Sequence, residues 1–189
     1  MAGLHRPLLT YYGDDFTGST DVLEVLALAG LRTALFLEPP TPELLARFPG
    51  VEAIGVAGTS RTMTPEEMEA QLPPVFEHLK ALGGGMFHYK TCSTFDSSPR
   101  VGSIGRAIDI AQRIFASPFV PLVVGAPALG RYCTFGNLFA RSGTESEPYR
   151  LDRHPTMRHH PTTPMRESDL RFHLSRQTAK RIGLVDLLH

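Results

Sequence analysis

Residues 7–30 are PLLTYYGDDFTGSTDVLEVLALAG, an apolar segment that passes directly into an amphipathic one. Residues 7–13 predict a short buried strand, and residues 19–30 predict a helix that ends at the glycine cap Gly30. A strand followed at once by a helix is the unit from which parallel sheets are built. The turn between them carries two adjacent carboxylates, Asp14 and Asp15. This turn is therefore the first candidate ligand site.

The same alternation repeats along the chain. Further strands are predicted at 31–38, 51–60, 86–92, 119–127 and 180–189, and further helices at 41–50, 64–85, 101–116 and 165–178. Pro73 and Pro74 are expected to kink or split the 64–85 helix. Residues 141–164 predict a polar, proline-rich loop without regular structure. The repeats predict βαβ crossovers and hence a single α/β domain, a three-layer, Rossmann-like fold with a mainly parallel sheet and helices on both faces.

The composition is that of an ordinary globular protein. The 189 residues are 42% hydrophobic and 20% charged, and their formal net charge is zero. A neutral chain lacks the basic surface typical of nucleic-acid or anionic-membrane binding, so neither partner is expected. The two cysteines, Cys92 and Cys133, form no CxxC motif, which argues against a disulfide framework or a thiolate zinc site. No signal-peptide or membrane-spanning pattern occurs, and a cytoplasmic location is expected.

Asp14 and Asp15 are unsuited to a phosphate site. In open α/β sheets, ligands bind beyond the carboxyl ends of the strands, which is where this turn is predicted to lie. The motifs GxGxxG and GxxxxGK[ST] are both missing, and two carboxylates would repel a phosphate. Phosphatases that form an aspartyl phosphate need two aspartates separated by one residue, whereas Asp14 and Asp15 are adjacent. Response-regulator receivers need a further aspartate at the end of the third strand, where GVAGTSR has none.

Two interpretations of this turn stay open. Asp14, Asp15, Thr17 or Ser19 could simply cap the following helix. One cap, however, does not require two carboxylates, and neighbouring carboxylates repel each other. A polyol or sugar could use both as hydrogen-bond acceptors, so the turn is a candidate site for binding hydroxyl groups.

A second polar cluster follows the fourth predicted strand, in HYKTCSTFDSSPRVGSIGRA, residues 88–107. Its members crowd into a turn before a helix, and they are Lys90, Ser93, Thr94, Asp96, Ser97, Ser98, Arg100, Gly102 and Ser103. Free amides at a helix N-terminus, with hydroxyls and basic side chains around them, favour an anion. An ordinary Ser- and Pro-rich loop is the alternative. Because both turns follow strands of one predicted sheet, together they predict a hydroxy-acid site, with hydroxyls at one end and a carboxylate at the other.

Two further segments carry weaker signals. In GAPALGRYCTFGNLFA, residues 125–140, Arg131 leaves the predicted fifth strand at the same edge of the sheet, where it could contact a ligand or be a surface residue. The segment RHPTMRHHPTTPM, residues 153–165, contains three histidines. Their spacing between prolines does not match the helical or hairpin sets of zinc ligands, so no metal site is predicted.

Four segments in order resemble the four-carbon acid sugar kinase family, long described as a domain of unknown function. They are DDFTGSTD, YKTCSTFDSSPRVGSIGRA, GAPALGRYCTFGNLFA and HPTMRHHPTTPMRESDLRFHLSRQT. The chain resembles the N-terminal, acid-sugar-binding domain of that family over nearly its whole length. The resemblance implies the substrate-binding part of an ATP-dependent kinase. Such enzymes phosphorylate the terminal hydroxyl of a tetronate such as threonate, erythronate or 3-oxo-tetronate.

The resemblance also implies roles for the site residues. Asp14 and Asp15 are expected to bind the substrate hydroxyls, and one of them to act as orienter or general base. The substrate carboxylate is expected to be held by Ser97, Arg100, the 102–105 turn with Gly102 and Ser103, and Arg131. Two further substrate contacts are expected at Lys90 and Asp96.

The family resemblance places the nucleotide outside this chain. ATP and Mg²⁺ are expected to bind a C-terminal nucleotide-binding domain that this chain lacks, so the chain alone is expected to bind neither and to be inactive. The end of the chain at His189, directly after an apolar run, suggests such a truncation. The expected partners are the acid sugar, that second domain and, as a possible assembly, a second copy of the chain.

The second motif departs from the family pattern. Many relatives carry Lys-x-Asp-Ser-Thr-x-Arg-Gly, whereas here Lys90 is followed by TCSTFDSSPRVG, which indicates a different branch of the family. Two other functions are alternatives. One is a non-catalytic, effector-like protein that binds sugar acids or other proteins on the same scaffold. The other, less favoured, is a sugar-acid aldolase or dehydratase in which Lys90 would form a Schiff base.

Overall fold

The computed structural model describes residues 6–188, which fall into two compact units. The first unit contains the chain up to Arg61 together with Glu69–Thr91. The second contains Thr62–Met68 and the chain from Cys92 onward. No helix in the described part of the chain is long and apolar enough to cross a membrane.

The first unit is built on a parallel sheet of four strands. They are β1 (Leu9–Gly13), β2 (Thr33–Phe36), β3 (Ala53–Ala57) and β4 (Met86–Lys90), in the order β2-β3-β1-β4. Every pairing is parallel, and Gly13 at the end of β1 lies opposite both Ala57 and Lys90. The predicted α/β fold with a mainly parallel sheet is thus confirmed, and the first four strands fall where the sequence placed them.

Residues 6–188 contain five α-helices. They are α1 (Phe16–Leu28), α2 (Pro42–Leu45), α3 (Pro65–Ala81), α4 (Ile104–Phe115) and α5 (Leu170–Leu174). Helix α1 begins three residues earlier than predicted, because Asp15 rather than Ser19 caps it. Helix α5 is much shorter than the predicted 165–178 segment.

Helix α3 is not split by its two prolines, contrary to one form of our prediction. Pro73 and Pro74 both lie inside a continuous helix. Pro73 and Pro74 lack the N–H groups that a regular helix directs toward residues 69 and 70, and both of those residues are exposed to water. The opposite face is held by side chains that are almost completely buried, namely Leu72, Phe76 and Leu79. Burial of that face outweighs the two absent hydrogen bonds.

The core of the first unit requires glycine at two positions, one in the middle of β3 and one directly after it. Tyr11 and Tyr12 are 0% and 3% exposed, and the Tyr12 ring packs against Phe76 with centroids 5.6 Å apart. A Cβ atom on Gly55 would lie 2.1 Å from the Tyr11 ring, and one on Gly58 would lie 1.9 Å from the Tyr12 hydroxyl oxygen. The tyrosines therefore occupy the space that side chains at these positions would need.

The second unit contains an antiparallel sheet that the sequence analysis missed. Its strands are β5 (Arg131–Thr134), β6 (Asn137–Arg141) and β7 (Pro148–Arg150), in that order. The turn between β5 and β6 has φ = 48° at Phe135 and 80° at Gly136, the two positive values that favour a tight hairpin. Around this sheet lies an apolar core of nine buried side chains, Phe95, Ile104, Leu138, Ala140, Leu151, Met157, Met165, Leu170 and Leu174.

Three predicted segments are wrong. Residues 119–127 form no strand; Pro118 and Pro121 remove backbone donors that a central strand would need, and Phe119 and Val123 are 68% and 87% exposed. Residues 180–188 are likewise irregular, and His189 lies outside the described residues. The predicted loop 141–164 contains β7 and two 3₁₀ turns. Strand β7 forms because it pairs with β6, and a local sequence pattern does not reveal that pairing.

Candidate functional site

An acidic cluster forms at the carboxyl end of the parallel sheet in the first unit. Asp14 and Asp15 follow β1, and Arg61 follows the neighbouring strand β3. The backbone fixes this arrangement, since the Arg61 amide donates to the Asp14 carbonyl at 3.1 Å and the Gly58 amide donates to the Gly13 carbonyl at 2.9 Å. The sheet register therefore places one cation beside the two carboxylates.

The Arg61 guanidinium bridges the two aspartates. Its Nη2 lies 3.0 Å from Asp14 Oδ1, and its Nη1 lies 2.8 Å from Asp15 Oδ2. The Asp14 side chain is only 5% exposed, whereas that of Asp15 is 26% exposed. A guanidinium shared by two carboxylates removes most of their mutual repulsion and locks their orientation. The sequence analysis did not consider Arg61, although its position after the third strand was a usable signal.

Asp15 has a second task as the cap of α1. Its Oδ1 accepts a hydrogen bond from the Gly18 amide at 2.7 Å, so the capping interpretation holds for Asp15 among the four candidates. The Ser19 hydroxyl instead donates to the Asp15 carbonyl at 2.6 Å. A carboxylate offers about four lone-pair sites. Capping and pairing with Arg61 therefore leave acceptor capacity for a ligand hydroxyl.

Lys90 ends β4 at the same edge of the sheet. Its Nζ lies 2.8 Å from Asp21 Oδ2 in the second turn of α1, and its carbonyl accepts a hydrogen bond from the Asp14 amide at 3.0 Å. The lysine side chain is 19% exposed. The structure thus brings three of the predicted residues, Asp14, Asp15 and Lys90, to one edge, with Asp21 and Arg61 as partners that the sequence analysis missed.

A layer of neutral hydroxyls lies beneath the acidic cluster. Ser60 Oγ and the Tyr89 hydroxyl are 2.7 Å apart, and the Tyr89 ring stacks on Tyr12 with centroids 5.6 Å apart. Burial, aided by the negative charge of Asp14, raises the pKa of Tyr89 well above its ordinary value. Burial also raises the pKa of Tyr12. Both phenols therefore stay protonated, and the negative charge of this edge is carried by the aspartates.

The second unit holds a different kind of polar group, the glutamine network, made of Ser97, Ser103, Gly105, His173 and Gln177. Ser97 Oγ lies 2.9 Å from His173 Nε2, and Gln177 Nε2 donates to Ser97 Oγ at 2.9 Å. Ser97 is 2% exposed and His173 is 7% exposed. Burial, with a smaller contribution from the Arg176 charge, lowers the pKa of His173 from 6.5 to about 4.

The predicted anion turn is filled by the chain itself. Gln177 Oε1 accepts from the Gly105 amide at 3.2 Å and from Ser103 Oγ at 3.4 Å. The Ser103 side chain in turn caps α4 by accepting from the Arg106 amide at 3.1 Å. Gly102, with φ = 60°, donates its amide to the Met63 carbonyl. These groups are used for packing within the second unit, and their contact with a substrate stays a prediction.

The remaining predicted residues of the second unit have other hydrogen-bond partners or are exposed. Asp96 is 4% exposed and accepts from Thr94 Oγ1 at 2.6 Å and from Thr163 Oγ1 at 3.4 Å. Arg100 is exposed. The Arg131 Nε donates to Ser93 Oγ at 3.2 Å. Their proposed contacts with a substrate also remain predictions.

The geometry of this edge also bears on metal binding. Among residues 6–188, no group of three or more His, Cys, Asp or Glu side chains is arranged to hold a metal ion. At the acidic cluster, the position between the two aspartates is taken by the Arg61 guanidinium. The donor set of this edge therefore fits neutral hydroxyl groups better than a resident cation.

Comparison with known proteins gives the family. The family model described as "Sugar-binding N-terminal domain" matches residues 9–189. The chain is 59% identical to the 3-oxo-isoapionate kinase of Paraburkholderia graminis over 96% of its own length and 38% of that kinase. It is 34% identical to the 3-oxo-tetronate kinase of Burkholderia multivorans over 97% of this chain and 40% of that kinase.

A solved structure supports the same assignment. The crystal structure of a Haemophilus influenzae protein of family DUF1537 superposes with a TM-score of 0.83 at 30% identity, over 95% of this chain and 41% of that one. The present chain thus spans about two fifths of the length of the curated relatives that it matches. The resemblance found in the four sequence motifs is confirmed by the comparisons: the two curated relatives above are kinases, and the chain belongs to the family of sugar-binding N-terminal domains.

Proposed function

We propose that this chain is the substrate-binding part of a longer ATP-dependent kinase whose substrate is a small 3-oxo acid sugar. The observation that carries the proposal is the 59% identity to a 3-oxo-isoapionate kinase, against 34% to a 3-oxo-tetronate kinase. An acid sugar of the 3-oxo-isoapionate kind is therefore the first candidate. Threonate, erythronate and 3-oxo-tetronate are the others.

Asp15 is the proposed contact with the hydroxyl to be phosphorylated. It is the more exposed of the two aspartates, and both of its oxygens are held in place, one by the Gly18 amide and one by Arg61. A fixed carboxylate can accept the hydrogen bond of a substrate hydroxyl, orient its oxygen and take its proton as a general base. The buried Asp14 acts through Arg61, as a positioning residue.

ATP and Mg²⁺ are proposed to be supplied by the part of the full-length protein outside this chain. Phosphoryl transfer depends mainly on positioning and on charge stabilisation around the transferred group. The role of this chain would be the positioning of the acceptor hydroxyl. A cytoplasmic location and a homodimer remain part of the proposal.

The test is a kinase assay on the full-length protein with ATP and a panel of acid sugars. We expect turnover with at least one 3-oxo acid sugar, and a loss of kcat/KM of about 100-fold or more for Asp15→Asn. Glu77→Gln, which changes an exposed carboxylate on α3, is the matched control and should keep full activity. Absence of ATP-dependent phosphorylation of any acid sugar would contradict the proposal. Binding of an acid sugar without turnover would instead favour the non-catalytic alternative.

A second assay concerns the 189-residue chain alone. We expect it to bind the acid sugar in calorimetry but to show no turnover of ATP. Measurable turnover would mean that the nucleotide site lies in this chain after all.

A further inference from the structure

A pocket of about 430 Å³ lies in the second unit, between the turn before β5 and the end of β6. Arg131 and Arg141 line it. The other lining residues are all uncharged, and they are Pro127, Ala128, Leu129, Gly130, Tyr132, Gly143 and Thr144. Two guanidinium groups therefore share a cavity whose wall contains no carboxylate.

Both arginines donate hydrogen bonds to neutral groups. Arg131 donates to Ser93 Oγ and, through Nη1, to the Leu129 carbonyl at 2.9 Å. Arg141 donates through Nη1 to the Thr144 carbonyl at 3.1 Å, and its buried Nε has no hydrogen-bond partner. Within residues 6–188, neither arginine forms an ion pair with Asp or Glu. Two like charges without a counter-charge repel each other, so the pocket is electrostatically incomplete.

The backbone of the β5–β6 hairpin fixes the positions of Arg131 and Arg141. Arg131 begins β5 opposite Ala140, and Arg141 ends β6 with its amide donating to the Gly130 carbonyl at 3.0 Å. Gly130 has φ = 68°, and a Cβ atom there would lie 3.2 Å from Arg141 Cδ. The glycine therefore provides both the turn and the room that the Arg141 side chain occupies.

We propose that this pocket binds a small oxyanion, a carboxylate or a phosphate group, between Arg131 and Arg141. Guanidinium groups bind such anions through paired N–H donors, and the bond is stronger where water is partly excluded. An anion would supply the counter-charge that the two arginines lack. The volume is sufficient for a small metabolite. The sequence analysis singled out Arg131 but gave no sign of Arg141.

This inference does not depend on the role proposed for Asp15. The carboxylate of an acid sugar and a free phosphate offer the same chemistry to the pocket, so the experiment uses both. Inorganic phosphate and threonate are titrated separately into the intact chain by calorimetry at low ionic strength. The proteins compared are the original chain, Arg141→Met, Arg141→Lys and the control Arg181→Met, which removes an exposed arginine outside the pocket.

We expect binding of at least one of the two anions by the original chain and the control. Arg141→Met should weaken that binding by about tenfold or more, and Arg141→Lys by less, because it keeps the charge but loses the paired donors. A loss confined to threonate identifies the sugar carboxylate as the ligand, and a loss confined to phosphate identifies a separate phosphate site. Circular dichroism of Arg141→Lys guards against a folding artefact.

Unchanged affinity for both anions in both Arg141 variants would overturn the inference, as would no binding of either anion to the original chain. An Asp15→Asn arm separates this failure from that of the proposed function. If Asp15→Asn abolishes threonate binding while the Arg141 variants weaken the binding of neither threonate nor phosphate, the oxyanion pocket is wrong and the proposed sugar site stands.

Discussion

The acidic cluster of the first unit and the glutamine network of the second both hold buried polar side chains in place, but by different interactions. Both gather polar side chains at chain turns near the start of a helix. In the acidic cluster, the members follow adjacent parallel strands, and a guanidinium bridges two carboxylates of which one is 26% exposed. In the glutamine network, Ser97 and Gln177 lie 80 positions apart and are almost fully buried. The acidic cluster keeps hydrogen-bond acceptor capacity for a ligand, whereas the polar groups of the glutamine network form hydrogen bonds with one another.

We call the acidic cluster a charge-held site, because ion pairs fix its side chains. We call the glutamine network a packing-held site, because close packing and neutral hydrogen bonds fix its side chains. Removing a partner from the acidic cluster should leave a buried charge without compensation. Disturbing the glutamine network should instead cost shape complementarity and neutral hydrogen bonds. Three changes test the contrast, in order of the expected loss of stability.

The largest effect is expected for Arg61→Met. The change leaves Asp14, whose side chain is 5% exposed, beside Asp15 without the bridging cation, so we expect a loss of about 4 kcal/mol in the free energy of unfolding. Arg32→Met is the matched control, because the Arg32 side chain is 64% exposed and pairs with Glu52 at the surface. That change should cost less than about 1 kcal/mol. Urea denaturation of the three proteins measures both values, and equal losses would contradict a charge-held site.

The next effect is expected for Gly105→Ala in the glutamine network. A Cβ atom at this position would lie 2.6 Å from the backbone and Cβ of Gln177, so one of the two segments has to move. We expect a loss of about 3 kcal/mol. Gly183→Ala adds the same methyl group in open space and should change stability by no more than about 1 kcal/mol in either direction. A Gly105→Ala protein as stable as the Gly183→Ala protein would show that the network is loosely packed.

The smallest of the three effects is the pH dependence of His173. Its Nε2 receives a hydrogen bond from Gln177, and its pKa is lowered from 6.5 to about 4, so the unfolded chain takes up a proton more readily than the folded one. Stability from this group is therefore complete above about pH 6.5 and falls as the pH drops toward 4, by about 2 to 3 kcal/mol. Urea titrations across this range should show the loss.

His173→Gln provides the comparison for that pH dependence. The variant should show a flatter dependence of stability on pH between 6.5 and 4, whereas His159→Gln, at an exposed position, should follow the original chain. Identical slopes for the original chain and His173→Gln would assign the acid sensitivity to other groups.

The first unit was predictable because its information is local. Each of its strands is a short apolar run bounded by turn residues, and parallel register carries Asp14, Asp15 and Lys90 to one edge. Arg61 could have been found by the same rule, since it follows the third strand. A receiver-type site would need an aspartate at that position, but an arginine there can also contact the carboxylates that follow β1.

The second unit was not predictable in this way. The β5–β6 hairpin has Phe135 where Asn or Gly would announce a tight turn, and β7 is only three residues long. Gln177 meets Ser97 and Gly105 through tertiary packing, which no spacing rule reports. The same holds for Arg141, whose position beside Arg131 depends on strand pairing rather than on a motif.

The irregular segment 119–124 has a consequence for solubility. Its sequence, FVPLVV, combines high hydrophobicity with strong β propensity and no charge, and Phe119, Val120, Leu122 and Val123 are all exposed. Such a run is a typical starting point for strand-by-strand association between molecules. Pro121 interrupts it at the centre, and Pro118 precedes it. The prolines that prevent a fifth strand also lack the N–H donors that strand pairing between molecules requires. They therefore oppose aggregation through this exposed apolar segment.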